Sequence, residues 1–338
     1  MATKTTERLE PRTTSPSWFE KNKKTLVLLT MVAPVAIWLL LLRYLPMGGI
    51  VLAFKNYKVN PRNPSFISNL INSKWVGFKN FEFLFKTDSA WVMIRNTLAY
   101  NIVFIILGVI IPVAFAIMMN EITRKFFKKA YQTMMFFPYF LSWVVVSYFL
   151  NAFLDAQYGM IPAMQEAAGH ARTSWYTTPG PWPFILTFAN LWKNVGYSTV
   201  LYLAAITGID TNQYEAAAID GCGPVKILYK IIDGATKWQQ VLHVTIPHLR
   251  TMIAILFIMN VGKIFASDFG LFYNVPMQNG ALFSVTQTID TYVYRAYMAT
   301  GDPGQSSAAG LLQNVLGFVC ILTANGIVKK IDSESSLF

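Results

Sequence analysis

The sequence predicts an all-α polytopic membrane protein with six transmembrane helices. Of its 338 residues, 54% are hydrophobic and 13% are charged, against about a quarter charged in an ordinary soluble domain. Mean hydropathy is +0.39. Six stretches of roughly 20 residues carry little or no charge, and such a helix crosses about 30 Å of hydrocarbon at 1.5 Å per residue. These observations argue against a soluble enzyme, a disordered chain and a secreted disulfide scaffold. Two cysteines, Cys222 and Cys320, and three scattered histidines give no metal-ligand spacing.

The first run is 25–42, after a polar tail, 1–24, that ends in Lys21, Lys23 and Lys24. The long polar lead and the missing small-residue cleavage site favour an uncleaved span over a signal peptide. The second and third runs are 97–119 and 130–154. The fourth, 183–205, is interrupted by Lys193, and the fifth, 250–272, contains Lys263 and Asp268. The sixth, 305–328, is closed by Lys329 and Lys330, leaving a C-terminal tail at 331–338. The transmembrane domain is thus 25–330.

Net charge is +11. Such an excess suits nucleic acid, but membrane proteins keep Lys and Arg in cytoplasmic loops, which explains the charge better. Both tails, the short loop with Arg124, Lys125, Lys128 and Lys129, and the segment between runs four and five hold 16 of the 28 basic residues. Both termini therefore read as cytoplasmic in a plasma or inner membrane. The outer loops are then about 43–95, 155–181 and 273–304. The first of them disagrees with the rule by carrying eight basic residues, and loops of about 50 residues follow it poorly.

Residues 208–250 carry the most specific signal. Asp210 is placed to cap a helix from Thr211, with Gln213 as its capping-box partner. That helix holds Glu215-Ala216-Ala217 and stops near Gly221, a suitable C-terminal glycine. Gly223-Pro224 opens a second short helix ending at Gly234, and Thr236 with Gln239 caps a third before Pro247. Short glycine-punctuated helices with alanine faces suit docking into a partner's groove.

Here the chain resembles the permease subunits of binding-protein-dependent ABC importers. Their docking signature is Glu-Ala-Ala, three residues, Gly, nine residues, then an Ile-x-Leu-Pro-like ending. Glu215-Ala216-Ala217 with Asp220-Gly221 matches the first half; Gly234, then Val244-Thr245-Ile246-Pro247, matches the second. The chain departs from the pattern in placing 13 extra residues between Gly221 and Gly234. Pro46-Met47-Gly48-Gly49, Trp75-Val76-Gly77-Phe78 and Trp192-Lys193-Asn194-Val195-Gly196-Tyr197 look like the polysaccharide-permease branch.

The resemblance implies a type I ABC importer permease fold with cytoplasmic coupling helices in 208–247. ATPase coupling would fall to Glu215, Ala216, Ala217, Asp220, Gly221, Gly234 and Pro247. The implied partners are a second homologous permease, a cytoplasmic ATPase dimer, an extracytoplasmic solute-binding protein and a carbohydrate, within membrane lipid and without nucleic acid. The chain has no G-x-x-x-x-G-K-[ST] cradle. No cofactor is expected in it, and ATP and Mg belong to the ATPase; the chain itself reads as non-catalytic.

Sugar rings have apolar faces and polar edges, so aromatics beside amides and hydroxyls are pathway candidates. Asn190, Trp192, Asn194, Tyr197 and Ser198 in the fourth run offer both, with Trp143 in the third and Asn260 in the fifth. Ordinary helix packing is the competing explanation for each. Lys193 is a candidate because a mid-bilayer charge costs about 3 kcal/mol on insertion scales and therefore faces a cavity or partner. Lys263 and Asp268, five apart, do not share a helix face well and are not expected to pair. The rival function is an ion-coupled secondary transporter, which calls for inverted repeats and broken spans with coupling acids.

Overall fold

A computed structural model describes residues 18–58, 65–220 and 238–332. The chain divides into two units, Met1–Val51 and Leu52–Phe338.

In the first unit, α1 (Trp18–Leu39) runs into a π turn, Leu40–Tyr44, and then a 3-10 helix that begins at Leu45. Val27, Leu28, Met31, Val35 and Trp38 are all exposed. A helix apolar on all sides belongs in lipid or against other spans. The π turn has a local cause. Pro46 lacks an N–H and its ring crowds the preceding turn; the backbone widens, and Leu45 N–H bonds Leu40 O.

The second unit opens with a small polar-ended subdomain. A two-stranded antiparallel ribbon, β1 (Lys55–Asn56) and β2 (Lys74–Trp75), pairs Lys55 with Trp75. Between the strands lies α2 (Phe66–Asn72); after them come a 3-10 turn, Gly77–Phe81, and α3 (Phe83–Lys86).

The helical body follows. It comprises α4 (Asp88–Asn120), α5 (Lys125–Phe136), α6 (Trp143–Leu154), α7 (Met160–Ala167) and α8 (Trp182–Thr207). Next are α9 (Thr211–Asp220) and α10 (Ile246–Val261). The chain closes with α11 (Phe269–Asn274), α12 (Phe283–Thr286), α13 (Ile289–Thr300) and α14 (Pro303–Ile331).

The pair α4 and α8 forms the spine. Tyr100 packs with Trp182, Leu186 and Ala189, while Ala116 and Met119 pack with Tyr202, Leu203 and Ile206. The two helices therefore run in the same direction. A third cluster joins Leu84, Ala90 and Met93 to Ile289 and Ala309. Helices touch closely where glycine allows it. A Cβ on Gly196 would sit 1.8 Å from Met135 O, and one on Gly317 would sit 2.3 Å from Gly262 O. Small residues at membrane helix crossings serve this purpose.

Four described helices are long and apolar enough to cross a membrane: Asn22–Phe54, Ser89–Asn120, Trp238–Val261 and Pro303–Ile331. A fifth span arises if Lys125–Phe140 and Trp143–Leu154, bent by 99°, count as one. Of the six expected spans, four or five meet the length and composition test among the described residues. The fourth run is a continuous helix, α8, but Asn190, Lys193 and Asn194 lower its apolarity.

Three expected boundaries need correction. The second span begins before Thr97, because α4 starts at Asp88. The third is broken: Pro138 enters a 3-10 turn at Phe137–Phe140, and Ser142 starts α6 afresh, its Oγ accepting Val145 N–H at 3.3 Å. The fifth ends at Val261, so Lys263 and Asp268 lie beyond it; Asp268 caps α11 by accepting Leu271 N–H at 3.2 Å. The expected outer loops also contain helices, α7 in the second and α12 and α13 in the third. For α13, Thr288 and Thr291 form a capping box, and Gly301 ends the helix at φ 68°.

Candidate functional site

Two places matter: the segment read as a docking element, and the break in the third span.

The first is α9. Asp210 caps it as expected, Oδ1 accepting Asn212 N–H at 3.0 Å. Glu215 and Ala216 are exposed and Ala217 is half-buried. The opposite side is tied down: Tyr214 Oη and Thr245 Oγ1 are 3.0 Å apart, and Gln240 Nε2 donates to Tyr214 O at 3.3 Å. Beneath lies a cavity of about 500 Å³, lined among others by Asn120, Glu121, Thr207, Tyr214, Gln240 and Thr245. Thus α9 is held by its Tyr214 side and presents Glu215 and Ala216 outward. The backbone of Asp220 ends α9; Gly221, Gly234, the inserted residues and the second short helix lie outside the described residues.

Pro247 is the second residue of α10 and lies inside the continuous helix Trp238–Val261, so its missing N–H and its ring fall on the preceding turn. It follows a π turn, Val241–Thr245, in which Ile246 N–H reaches Val241 O. This repeats the arrangement ahead of Pro46. Tyr214 and Gln240 thus fasten α9 onto a wide turn within the candidate span Trp238–Val261.

The second place is the break between α5 and α6. Interrupting a helix frees carbonyls, which are costly inside a membrane unless re-satisfied. Lys193, on α8, supplies the donor: Nζ bonds Tyr139 O at 2.8 Å and also Leu141 O. The same ammonium lies 5.7 Å from the Tyr139 ring centroid and 5.4 Å from that of Trp143, within cation–π range. Tyr139 stacks on Tyr197 at 4.8 Å and 12°. Trp143 Nε1 donates to Asp268 Oδ2 at 2.8 Å, so Asp268 joins α6 to α11.

Of the pathway candidates, the structure brings Trp143, Lys193 and Tyr197 together. The others are placed differently. Trp192 lines an apolar groove of about 640 Å³ with Phe149, Phe153, Phe184 and Phe188. Asn194 Nδ2 donates to Asn190 O one turn back at 3.0 Å, and Ser198 is half-buried on α8. Asn260 is exposed near the end of α10.

The sequence reading missed Tyr139, for which the break signal Pro138 was available. It also missed the anchoring of the 262–268 turn. Asn101 Nδ2 donates to Ile264 O (2.8 Å) and Ala266 O (2.9 Å). Ser267 N–H and Oγ–H both reach Asp290 Oδ2 at 2.7 Å, and Gln313 Nε2 donates to Phe265 O at 2.7 Å. Three helices, α4, α13 and α14, therefore hold the stretch that aims Asp268 at Trp143. Nearby, burial and then the Asp155 charge push the Tyr176 phenol up to about 12, and its oxygen is buried without a hydrogen-bond partner among the described residues.

Residues 105–233 match the family described as "Binding-protein-dependent transport system inner membrane component". Over 322 residues the chain is 30% identical to the polygalacturonan/rhamnogalacturonan transport system permease protein YteP of Bacillus subtilis (strain 168), covering 93% of this chain and 94% of that one. It is 30% identical to LplB of the same organism over 318 residues, 94% of this chain and 93% of the other. A crystal structure of a bacterial ABC transporter involved in import of the acidic polysaccharide alginate superposes with a TM-score of 0.77 at 28% identity, covering 93% of this chain and 99% of that chain. Another, with the same TM-score, shows the alginate transporter in complex with an alginate pentasaccharide-bound periplasmic protein. By these measures the chain, with its broken span and tethered α9, belongs to the inner-membrane permease components of binding-protein-dependent transport systems and has the type I ABC permease fold.

Proposed function

We propose that this chain is the permease subunit of an ATP-driven importer for a carbohydrate, a polysaccharide-derived oligosaccharide, delivered by an extracytoplasmic solute-binding protein. The observation that carries this reading is the 30% identity over 93% of the chain to a polygalacturonan/rhamnogalacturonan permease. The full membrane domain has six spans, with α8 as the fourth and both termini cytoplasmic. A second homologous permease completes the pathway. Two copies of a separate ATPase hold ATP and Mg, and this chain contributes no catalytic group.

Coupling runs through α9. Closure of the ATPase dimer pushes on Glu215, Ala216 and Ala217, with Asp220, Gly221 and Gly234 shaping the element. The fastening of Tyr214 to Thr245 and Gln240 passes the push to the head of α10 at Pro247. One docked helix thereby biases two global states of the pathway. Within the pathway, Trp143, Tyr197 and Lys193 form the aromatic and polar wall nearest the span break.

The broken third span is one mark of an ion-coupled transporter, yet the family match favours the importer. Coexpression with candidate ATPases and a second permease tests the reading. An ATPase should copurify with the wild type and be lost with Glu215→Lys, while the variant chain keeps its melting temperature. An absent ATPase, or one retained equally by Glu215→Lys, contradicts the docking role.

A further inference from the structure

The basic outer loop at 43–95 is not explained by coupling or by a substrate pathway. Residues 52–87 contain one acid, Glu82, and it pairs with Lys86 at 3.1 Å. Lys55 is also engaged: Nζ donates to Leu70 O at 2.7 Å and Ile71 O at 3.2 Å, closing the end of α2. Lys58, Lys74 and Lys79 remain exposed, and no acid pairs with them among the described residues.

Beside them lie large apolar side chains that face out. Trp75 is 65% exposed, Phe78 74% and Ile71 69%. They do not hang loosely. Trp75 stacks on Phe54 at 5.6 Å and 9°, and Phe78 meets the same ring edge-on at 5.6 Å. Asn80 Nδ2 fastens the base, donating to Ala53 O at 3.1 Å and Lys55 O at 2.9 Å. The surface is a firm platform of aromatic faces flanked by cations.

Its position follows from connectivity. One candidate span ends at Phe54, the next begins at Ser89, and the platform is the chain between them. It also packs on the start of a third candidate span: a Cβ on Gly304 would meet Asn80 Nδ2 at 2.7 Å. The starts of two candidate spans, Ser89 and Pro303, thus flank this subdomain, and span ends lie where hydrocarbon meets water. There, aromatic rings settle among headgroups and lysines meet lipid phosphates.

We propose that the ribbon and residues 65–86 form a membrane-surface foot in which Trp75 and Phe78 enter the headgroup layer while Lys74 and Lys79 bind the phosphates of anionic phospholipid. The foot explains why this loop breaks the charge rule: its lysines are lipid ligands rather than topology signals. It also braces the start of the span at Pro303, against which Asn80 packs.

The test uses the full chain, with the subunits that copurify, in vesicles of phosphatidylcholine with or without phosphatidylglycerol. The fluorescence component lost in Trp75→Phe should be quenched by lipids brominated near the headgroup and spared by aqueous iodide. Lys74→Gln and Lys79→Gln should each lower phosphatidylglycerol retention, read by native mass spectrometry, by about fivefold. Iodide quenching of the Trp75 component would overturn the proposal. So would a component shielded from both quenchers, which means a protein partner covers the patch, or equal retention of the two lipids by wild type. Both glutamines lie on an exposed ribbon and turn, and an unchanged melting temperature separates lipid loss from misfolding.

Discussion

The Lys193 ammonium on α8 donates to Tyr139 O at 2.8 Å, across the point where α5 and α6 part. A charge that looked like an intrusion into an apolar helix is the donor that a broken partner helix needs. The break and the lysine explain each other: without one, the other leaves unpaired polar groups in the membrane interior.

Lys193→Met keeps the length of the side chain and removes the donor. It leaves Tyr139 O and Leu141 O unsatisfied, which costs about 1–3 kcal/mol. The chain should melt at a lower temperature in detergent, and Lys193→Arg should recover part of the loss. A Lys193→Met variant as stable as wild type would show that the ammonium does not hold the break.

Trp143 and Asp268 form the next link, at 2.8 Å. Asp268→Ala also removes the cap on Leu271 N–H and should cost about 0.5–2 kcal/mol. Asp268→Asn keeps one acceptor oxygen, enough for the cap on Leu271 N–H but not for Trp143 Nε1–H at the other position, and should recover only part of the loss. A thermal-melt double-mutant cycle with Trp143→Phe should give a coupling of at least about 0.5 kcal/mol; additive effects would deny the link.

Gly196→Ala tests the crossing of α8 and α5. Its Cβ would fall 1.8 Å from a backbone oxygen, which a flexible side chain cannot relieve. Separation of the helices also pulls Lys193 off the break. Overpacking of this kind costs about 1–3 kcal/mol or more, so the variant should express poorly or melt early. Gly310→Ala, where a Cβ meets nothing within 4 Å, is the control and should behave as wild type.

Tyr176 gives a pH prediction. Its phenol is pushed up to about 12 from an ordinary value of 10.0. Folding favours the neutral form, so this contribution to stability is full below about pH 10 and is lost as pH rises through about 12. Tyr176→Phe removes a buried hydroxyl that has no hydrogen-bond partner among the described residues. It should leave neutral-pH stability equal or higher and abolish one late phenolate step in an ultraviolet titration. A phenolate step at the ordinary value for this residue would contradict the burial.

Much of this architecture is readable in the residues. The uncharged runs locate most spans, and Asp210 announces α9 because a cap is a local interaction. The break was not read because hydropathy is blind to direction: 130–154 stays apolar through a bend of 99°. Pro138 marked the place, but only the carbonyls taken by Lys193, 54 residues away along the chain, give the bend its meaning. The fifth span was drawn too long because Gly262 and the turn after it are apolar enough to continue a run. Asp268 could not be paired from spacing, since its partner is Trp143 on another helix. Trp192 and Lys193, neighbours in sequence, face different surroundings, and a motif read along the chain merges them.

Uptake by the assembled importer in proteoliposomes tests the central claim most directly. The vesicles hold both permeases and the ATPase, ATP is placed on the ATPase side, and the binding protein is loaded with labelled polygalacturonan-, rhamnogalacturonan- or alginate-derived oligosaccharide. The account predicts accumulation of at least one of these sugars that requires ATP and the binding protein and is abolished by Glu215→Lys. Accumulation that proceeds without ATP and follows a proton or sodium gradient would contradict it.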